Sequence, residues 1–493
     1  MKRLFFLIAA VSMTVLAACT DDDSFSTSRS DTLSFSQDTV SLDTIFSTVP
    51  TSTRSFMVYN RNDDGLRIRQ VRLCRGNQTG FRVNVDGEYL DNSLGSQIGN
   101  VEVRGGDSIR VFVELTSAEN KADEPQLVED DLLFVLESGV EQGVRLRAYS
   151  WDALFCDSLV IRRDTVISTV KPIVVRRGIT VDEGATLTIN YPSALYFSAG
   201  AGLDVYGRLI VNSDAAGQDV VFRGDRTDRM FDYLPYDRVS GQWRGIRIHP
   251  SSTGNSIRNA DIHSSEYGIM CDSTGRDADE YRLMLENVTI HNCKGPGLSA
   301  YNSNIFMSNC QITNTLGNCV DICGGSTLMV YCTIAQFYPF SSERGAALRF
   351  ANFSEDYDYP LDMFECYNSL ITGYAKDVIF GEVKDSTVAF NYYFSNSILR
   401  TEKPDSANLE SGAYNNVIWE TDKDTVQGKA HFVMIDEDNL RYDFRLDSLS
   451  TARGAALPLM DFQTDRNGRP RGDTPDAGCY QFVAPEPAGV RRK

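Results

Sequence analysis

Two patterns of hydrophobic and polar residues follow one another along the chain. Residues 32–150 alternate apolar and polar side chains over short runs, such as the eight residues from Ser108 to Leu115, with Gly- and Asn-rich turns between the runs. A period of two is typical of half-buried antiparallel strands. We therefore predict that residues 32–150 form a β-sandwich.

Beyond Lys171 the alternation gives way to a recurring four-residue unit, Asn-x-x-Ile/Leu. Successive units lie 28, 22, 22, 37, 28 and 19 residues apart, and a second column of short apolar runs accompanies them. A recurring period of this length predicts a parallel solenoid in which each coil adds one strand to each sheet. We expect the solenoid to occupy residues 171–425. Its units begin at Asn259, Asn287, Asn309, Tyr331, Asn368, Asn396 and Asn415.

The coils from Gly184 to about Trp419, with Trp243-Arg-Gly-Ile between them, resemble the right-handed parallel β-helix family, the fold of pectate lyases. The resemblance implies an all-β chain, right-handed coils and a cross-section of three sheets. In such coils we expect one file of inward isoleucines and one of small inward residues, with Asn at the coil corners satisfying backbone groups of tight turns. The two files are Ile262, Ile290, Ile312 and Ile334, and Ala260, Val288, Cys310, Cys332, Ser369 and Ser397.

Two further stretches, one before and one after the solenoid, resemble parts of known protein families. The run from Phe35 to Phe46 resembles the immunoglobulin-like module of many Bacteroidetes surface proteins, which implies a spacer. The C-terminal Asp-x-x-Gly-x-x-Arg from Asp465, followed by Pro-Asp-Ala-Gly-Cys-Tyr from Pro475, resembles the ending of surface β-helix proteins. That ending implies that residues 426–482 form a C-terminal coil and a cap over the last coil, followed by a tail at 483–493.

The N-terminal sequence predicts where the protein is located in the cell. Residues 1–18 have a basic start, an apolar stretch too short to span a bilayer, and small residues before Cys19, as in a signal peptide. Leu-Ala-Ala-Cys resembles the lipobox of bacterial lipoproteins, and the following Thr-Asp-Asp-Asp-Ser resembles the export tag of Bacteroidetes lipoproteins. These resemblances imply lipidation of Cys19 and an outer-membrane anchor, with the protein facing outside. Residues 19–31 are predicted to be a flexible tether.

The charge of the chain limits which kinds of molecule it can bind, and its cysteine content limits how it can be cross-linked. The chain has 48 Lys and Arg against 67 Asp and Glu, a formal net charge of -19. This balance excludes an extended surface for nucleic acid. Besides Cys19 the chain has ten cysteines, too few for a disulfide scaffold, and both free thiols and disulfides stay open for them. We expect a monomer attached to the outer membrane through its lipid.

Catalytic motifs are mostly missing from the sequence. Neither the Gly-His-Gly and Arg-Ile-Lys motifs of polygalacturonase-type hydrolases nor HExxH, GxSxG or GxxxxGK[ST] occurs. The preferred hypothesis is a non-catalytic role in glycan binding, adhesion or scaffolding. The alternative is a polysaccharide lyase or glycoside hydrolase acting on acidic polysaccharide through a dispersed site. No cofactor is predicted, although a lyase would make calcium a candidate.

One group of outward positions is the candidate ligand site. Equivalent positions on successive strands form a polar stripe that could bind a sugar or a metal, or could simply be solvated sheet. Because four histidines leave little room for a zinc site, we assign no metal ligand. A repeat of about 4.8 Å would match a linear glycan along the stripe. The candidate residues are Asp261, His263, Thr289, His291, Gln311 and Thr313, with Tyr357 and Tyr359 on an acidic insertion as stacking platforms.

Overall fold

The computed structural model describes residues 24–212, 218–231, 233–274, 280–355, 357–405 and 412–484. The chain divides into two compact units, Met1–Asp152 and Ala153–Lys493. Strands dominate both units, and the helical segments among the described residues are single 3-10 turns. These turns are Gly76–Gln78, Asn92–Leu94, Tyr236–Arg238 and Gly428–His431. Within the same residues, no helix is long and apolar enough to cross a membrane.

The first unit is the predicted β-sandwich. Its two five-stranded sheets have the orders β1-β3-β8-β5-β6 and β2-β10-β9-β4-β7, and one apolar core contains side chains of both. The pairing is antiparallel except between β2 and β10, which run parallel. The strands are β1 Leu33–Phe35, β2 Thr39–Phe46, β3 Arg54–Asn60, β4 Leu66–Leu73, β5 Phe81–Val85, β6 Glu88–Tyr89, β7 Gln97–Val103, β8 Ser108–Leu115, β9 Gln126–Leu136 and β10 Glu141–Trp151.

The described part of the predicted tether is ordered against this sandwich. Phe25 forms a parallel bridge with Gly65, and the Arg67 guanidinium lies 4.4 Å from the centre of the Phe25 ring. The expectation of a flexible tether is therefore wrong from Ser24 onward, because a single aromatic residue finds an apolar and cationic contact on the sandwich. The predicted signal peptide, Cys19 and all of the predicted acidic tag except Ser24 lie outside the described residues.

The second unit is a parallel β-helix that begins at Leu154, earlier than the predicted residue 171. Twenty-four of its described strands join in one continuous, parallel-paired sheet system. The remaining strands form short antiparallel pairs. The strands are β11 Leu154–Ile161, β12 Thr165–Ile167, β13 Ile173–Val181, β14 Thr186–Ile189, β15 Ala194–Phe197, β16 Leu203–Val205, β17 Arg208–Val211, β18 Val220–Gly224, β19 Arg229–Phe231, β20 Leu234–Pro235, β21 Ile246–Ile248, β22 Asn255–His263, β23 Ile269–Cys271, β24 Leu283–His291, β25 Leu298–Ser308, β26 Gln311–Thr313, β27 Val320–Val330, β28 Thr333–Gln336, β29 Leu348–Ala351, β30 Phe353–Ser354, β31 Tyr357–Asp358, β32 Leu361–Tyr367, β33 Leu370–Gly373, β34 Ile379–Glu382, β35 Phe390–Ser395, β36 Ile398–Arg400, β37 Tyr414–Asn415, β38 Ile418–Glu420, β39 Phe432–Asp436 and β40 Arg441–Leu446.

The inward files have the register that the sequence predicts. Ile262 pairs with Ile290, which pairs in turn with Ile312, and all three are fully buried. The file of small residues is buried as well, and the described cysteines are free thiols. Burial raises the pKa of the Cys366 thiol to about 12. Close packing of apolar side chains between coils therefore holds the rod together.

The recurring asparagine marks a left-handed backbone corner. Asn259, Asn287 and Asn309 have φ of 44°, 57° and 51°. Asn tolerates this region better than most residues do, which explains its recurrence at one corner of the coil. In the last coil the corner residue is Asn416 rather than the predicted Asn415, since Leu399 pairs with Trp419.

The C-terminal segment, residues 426–482, lies along the side of the β-helix. Phe432, Phe444 and Ala477 pack over the outward side chains of Leu370 and Ile398 in one apolar cluster. These contacts lie on the outer side of the coils, and the cap over the last coil stays a prediction. Leu370 on β33 and Ile398 on β36 present apolar side chains outward, and their burial stabilises the second layer on this side of the coils.

The C-terminal motif attaches that layer to the β-helix. Asp465 accepts hydrogen bonds from the backbone N–H groups of Asn467 and Arg469, each at 2.8 Å, which closes a tight turn. The Arg471 guanidinium lies 3.7 Å from the centre of the Tyr331 ring. Arg471 also donates hydrogen bonds to the side-chain oxygen of Asn309 at 2.6 Å and to the carbonyl oxygens of Thr464, Asp476 and Gly478.

Candidate functional site

Two files of outward-facing side chains run across neighbouring coils on the strands that carry the Asn units. In the first outer file, Asp261 pairs with Thr289 and Thr289 with Gln311. In the second outer file, His263 pairs with His291 and His291 with Thr313. The structure thus brings together the six residues that the sequence placed on one stripe.

A hydrogen-bonded cluster of charged groups occupies the start of these files. The Nδ1 atom of His263 lies 2.8 Å from Oδ1 of Asp261, and its Nε2 atom lies 2.8 Å from Oδ1 of Asp237. Asp261 Oδ1 is also 3.3 Å from Nε2 of His291, whose ring stacks on that of His263 with the centroids 4.8 Å apart. Arg223 completes the cluster with an ion pair to Asp237 at 2.8 Å.

The cluster shifts the pKa values of His263, Asp237 and Asp261 toward their charged forms. Burial disfavours the His263 imidazolium, but Asp261 and Asp237 outweigh burial and raise the pKa of His263 to about 9. Burial likewise opposes ionisation of Asp237, yet His263 and Arg223 lower the pKa of Asp237 to about 2. The pKa of Asp261 is lowered well below its usual value because the two histidines overcome its burial.

A pocket of about 240 Å³ opens beside this cluster. Its floor consists of polar side chains from the coils and their corners. Its walls come from two additions to the β-helix, the 3-10 turn at Tyr236–Arg238 and the hairpin of β39 and β40. Arg238 joins the two walls by donating a 2.8 Å hydrogen bond to the carbonyl oxygen of Asn439. The lining residues are Asp237, Arg238, Thr289, His291, Asn292, Gln311, Thr313, Asn314, Pro339, Leu440, Tyr442 and Phe444.

The expectation of a solvent-facing stripe is wrong for most of its length. His263, Thr289, Gln311 and Thr313 are buried. Only Asp261 and His291 keep side chains that are 30% and 33% exposed. The insertion with Asp237 and the C-terminal segment cover the others, and neither contributes to the coil period from which the exposure was predicted.

The stripe also ends sooner than a linear glycan would need. Tyr480 donates a 2.9 Å hydrogen bond to the side-chain oxygen of Gln311. On the next strand, the Thr333 hydroxyl accepts a 3.0 Å hydrogen bond from the backbone N–H of Cys479. The expectation of a long glycan lying in register along the rod is therefore wrong, since the C-terminal segment occupies that surface.

Tyr357 and Tyr359 lie apart from the stripe. Tyr359 packs against Tyr301, with ring centroids 6.4 Å apart, and against Tyr357 at 6.2 Å. Neither tyrosine lines the pocket beside His291. The prediction that they form stacking platforms near the stripe is wrong, because their insertion follows β29 on a different sheet of the coil from β22, β24 and β26.

The remaining two histidines belong to other polar clusters. His249 lies 3.0 Å from Asp204 and 3.5 Å from Asp272, and it stacks on Tyr206. His431 is fully buried against Glu420, and its other ring nitrogen is 3.0 Å from the Ser450 hydroxyl oxygen. The His431 cluster ties the C-terminal segment to the last coil.

A second, more open cleft lies on another face of the later coils. Tyr367 and Tyr393 meet there with ring centroids 5.7 Å apart, and the Tyr367 hydroxyl donates a 2.9 Å hydrogen bond to Glu365. Met363 and Tyr392 also line this tyrosine cleft. It offers aromatic surface but has fewer converging polar groups than the pocket beside His291.

Sequence reasoning missed several residues of the pocket and cluster. Arg223 could have been found, because Val-Val-Phe-Arg at 220–223 aligns with Ala-Asp-Ile-His at 260–263 in the coil register. Asp237 lies in an insertion between coils, and Tyr442 and Phe444 lie after the last coil. No periodic signal connects these three residues with the stripe.

A comparison with known protein families supports the architecture of the second unit. A family described as "Right handed beta helix region" matches residues 156–334. Among solved structures, pectate lyase Pel9A is 11% identical, with 68% of this chain and 88% of the lyase covered and a TM-score of 0.29. The catalytic unit of a GH87 α-1,3-glucanase from Streptomyces thermodiastaticus is 11% identical, with 74% and 89% covered and a TM-score of 0.24.

A family 123 glycoside hydrolase from Clostridium perfringens is also similar, at 6% identity and a TM-score of 0.19 over 26% of this chain. The chain spans only 30% of that hydrolase. No curated protein matches the chain. The parallel coils and the family match together identify the larger unit as a right-handed parallel β-helix, which follows the β-sandwich in the sequence.

Proposed function

We propose that this protein binds carbohydrate without cleaving it, through the pocket beside His291, and that it does so at the cell surface. The observation that carries the proposal is the make-up of the pocket, in which a polar floor faces an aromatic wall. Small-molecule sites typically combine apolar surface with a few convergent polar groups in this way.

The two sides of the pocket suit the two kinds of surface on a sugar. Tyr442 and Phe444 offer aromatic surface for the C–H groups of a pyranose ring. Thr289, His291 and Gln311 supply hydrogen-bonding groups from three positions on two adjacent coils. Because these strands pair in register, the floor is held rigidly before a ligand arrives.

The size of the pocket favours one sugar unit. Its volume of about 240 Å³ lies just below the roughly 300–1,000 Å³ of pockets for drug-sized ligands. The C-terminal segment blocks extension toward β28. We therefore expect recognition of a chain end or a single side-branch sugar rather than a long internal stretch.

The arrangement of carboxylates favours binding over hydrolysis. A glycosidase needs one carboxyl group that protonates the leaving oxygen and a second that acts as base or nucleophile. Asp237 and Asp261 both accept hydrogen bonds from the same His263 ring, and Asp237 also pairs with Arg223. Both carboxylates are thus engaged with cations of the chain itself.

A binding and turnover screen tests this proposal. The chain from Thr20 would be run through native gels containing neutral or acidic polysaccharides, while the same mixtures are assayed for reducing ends and unsaturated uronate. We expect retardation by at least one polysaccharide and no product. Product formation at an enzymatic rate would replace the proposal with the lyase or hydrolase alternative.

The surface location is part of the same proposal and rests on the lipobox and the acidic tag. Cys19→Ala should release the protein from membranes, and protease added to intact cells should digest the wild type. The control is Cys74→Ala, which alters an exposed cysteine of the sandwich. Full membrane retention of Cys19→Ala would contradict the anchor.

A further inference from the structure

The cluster at the pocket floor places three metal-ligating side chains within reach of one point. One ligand atom each from Asp261, His263 and His291 lies within 4.8 Å of the others. Asp261 Oδ1 stands 2.8 Å from Nδ1 of His263 and 3.3 Å from Nε2 of His291. Among the described residues, no other group of three His, Cys, Asp or Glu side chains brings its ligand atoms this close together.

These separations are those of neighbouring ligands around a small ion. Nitrogen and oxygen ligands lie about 2.0–2.2 Å from zinc, so two of them at a tetrahedral or octahedral angle are roughly 3 Å apart. Both distances from Asp261 fall near that value. The His291 ring borders the pocket and is one-third exposed, which leaves it room to turn its Nε2 lone pair toward the same point.

The surroundings of His263 match those of a metal-bound histidine. A ligating imidazole usually donates its second N–H to a carboxylate, which fixes the orientation of the ring. Asp237 accepts this hydrogen bond from Nε2 of His263 at 2.8 Å, so Nδ1 is directed at Asp261. Arg223 in turn holds Asp237 by an ion pair.

We propose that Asp261, His263 and His291 bind one divalent first-row transition ion, with Zn²⁺ as the best match. Binding displaces the proton between His263 Nδ1 and Asp261 Oδ1, which is released to solvent as the ion takes its place. Two imidazoles and one carboxylate suit zinc and its neighbours, whereas calcium requires mainly oxygen ligands. Three protein ligands leave a coordination position open on the pocket side, where a water or a ligand oxygen completes the shell.

The test measures ion binding alone, in the absence of carbohydrate. The chain from Thr20, stripped with EDTA, would be titrated with Zn²⁺ against a chromophoric chelator and with Co²⁺ by visible absorption. We expect one ion per chain and a Co²⁺ spectrum typical of four or five ligands that include nitrogen. Failure of carbohydrate binding would leave this result untouched, so the two proposals fail separately.

Matched variants locate the ion. His291→Ala and Asp261→Asn should each weaken Zn²⁺ binding by at least roughly 100-fold, and Asp237→Asn by roughly 10-fold to 100-fold through the orientation of His263. His249→Ala is the control, because His249 also lies between two carboxylates but outside the cluster. Circular dichroism verifies that each variant is folded, and His291→Gln replaces any His291→Ala protein that is not. The proposal is overturned if the wild type binds no stoichiometric Zn²⁺, or if His249→Ala weakens binding as much as His291→Ala.

Discussion

The same two outer files differ between the early and the later coils. On β24 and β26 they carry Thr289, His291 and Gln311, which border a pocket. On β33 and β36 the position equivalent to Gln311 is Leu370 and then Ile398, and both are fully buried. One geometric position therefore belongs to a ligand site at one level of the rod and to an apolar core at another.

This difference shows that facing away from the coil interior does not mean facing solvent. The C-terminal segment forms a second layer over the outer files, where it packs on Leu370 and Ile398 and also makes hydrogen bonds to the polar Gln311 and Thr333. Phe444 lies at the transition, since it packs in the outer apolar cluster and also lines the pocket. The pocket is thus bordered by the edge of the apolar cluster that the second layer forms with the coils.

The largest effect is expected from detaching that layer. Arg471→Met removes donors to Asn309 and three carbonyl oxygens and leaves these acceptors buried, so the free energy of unfolding of the β-helix should fall by about 3 kcal/mol. Arg445→Met is the control, since its ion pair with Asp443 is exposed. Urea unfolding provides the measurement. Equal effects of both changes would show that the segment is not docked as described.

Truncations at equivalent positions compare the two regions directly. Leu370→Ala should cost about 2–3 kcal/mol of unfolding free energy, because it opens a cavity between the β-helix and the C-terminal layer. Thr289→Ala, in the same outer file beside the pocket, should cost about 0.5 kcal/mol. The same unfolding assay applies. A smaller loss for Leu370→Ala than for Thr289→Ala would contradict the covered face.

The charged cluster predicts a pH dependence on the pocket side. The pKa of His263 is raised from 6.5 to about 9, so its contribution to stability is fully present below pH 6.5 and is lost as the pH rises to 9. In EDTA, the unfolding free energy of the wild type should fall between these values by up to about 1.4 kcal/mol per pH unit more than that of His263→Gln. Parallel pH profiles of the two proteins would contradict the ion-paired geometry.

Because His263 is buried, a variant in which both His263 and His291 are replaced is a poor test of ligand binding. On a solvent-facing stripe, as the sequence predicted, His263 and His291 could both be replaced by alanine with little loss of stability. Because His263 is buried and makes hydrogen bonds to both Asp237 and Asp261, its removal would leave a cavity and take away the cation between two neighbouring carboxylates, so it should destabilise the fold. His291→Ala alone is the cleaner probe of binding.

Much of the fold could be predicted because it repeats. The Asn corner and the inward Ile262 to Ile334 file recur at a regular period, so one unit predicts the next, and the register of His263 with His291 follows from it. The position of the C-terminal layer could not be predicted, since its contacts span long distances in sequence. Arg471 meets Asn309 and Tyr480 meets Gln311 without any periodic signal.

Because only the coils repeat, the sequence predicted the part of the site that lies on the coils and missed the rest. It predicted the register of Thr289, His291 and Gln311 on neighbouring strands, because in-register coils build the floor of the pocket. It missed Asp237 and Tyr442, which come from an insertion and from the second layer. The apolar residues Leu370 and Ile398 at outward positions were the available sign that something covers the later coils.

The most direct test of the central claim compares carbohydrate binding at the two aromatic sites. Once a retained glycan is identified, its dissociation constant would be measured by calorimetry for the wild type, His291→Ala, Tyr442→Ala and Tyr393→Ala. Tyr393→Ala is the matched control, since Tyr393 belongs to the separate tyrosine cleft. We predict that the first two variants bind at least tenfold more weakly, a loss of about 1.4 kcal/mol, and that Tyr393→Ala binds like the wild type. Unchanged binding in both pocket variants, with binding lost in Tyr393→Ala, would contradict the assignment and move the site to the tyrosine cleft.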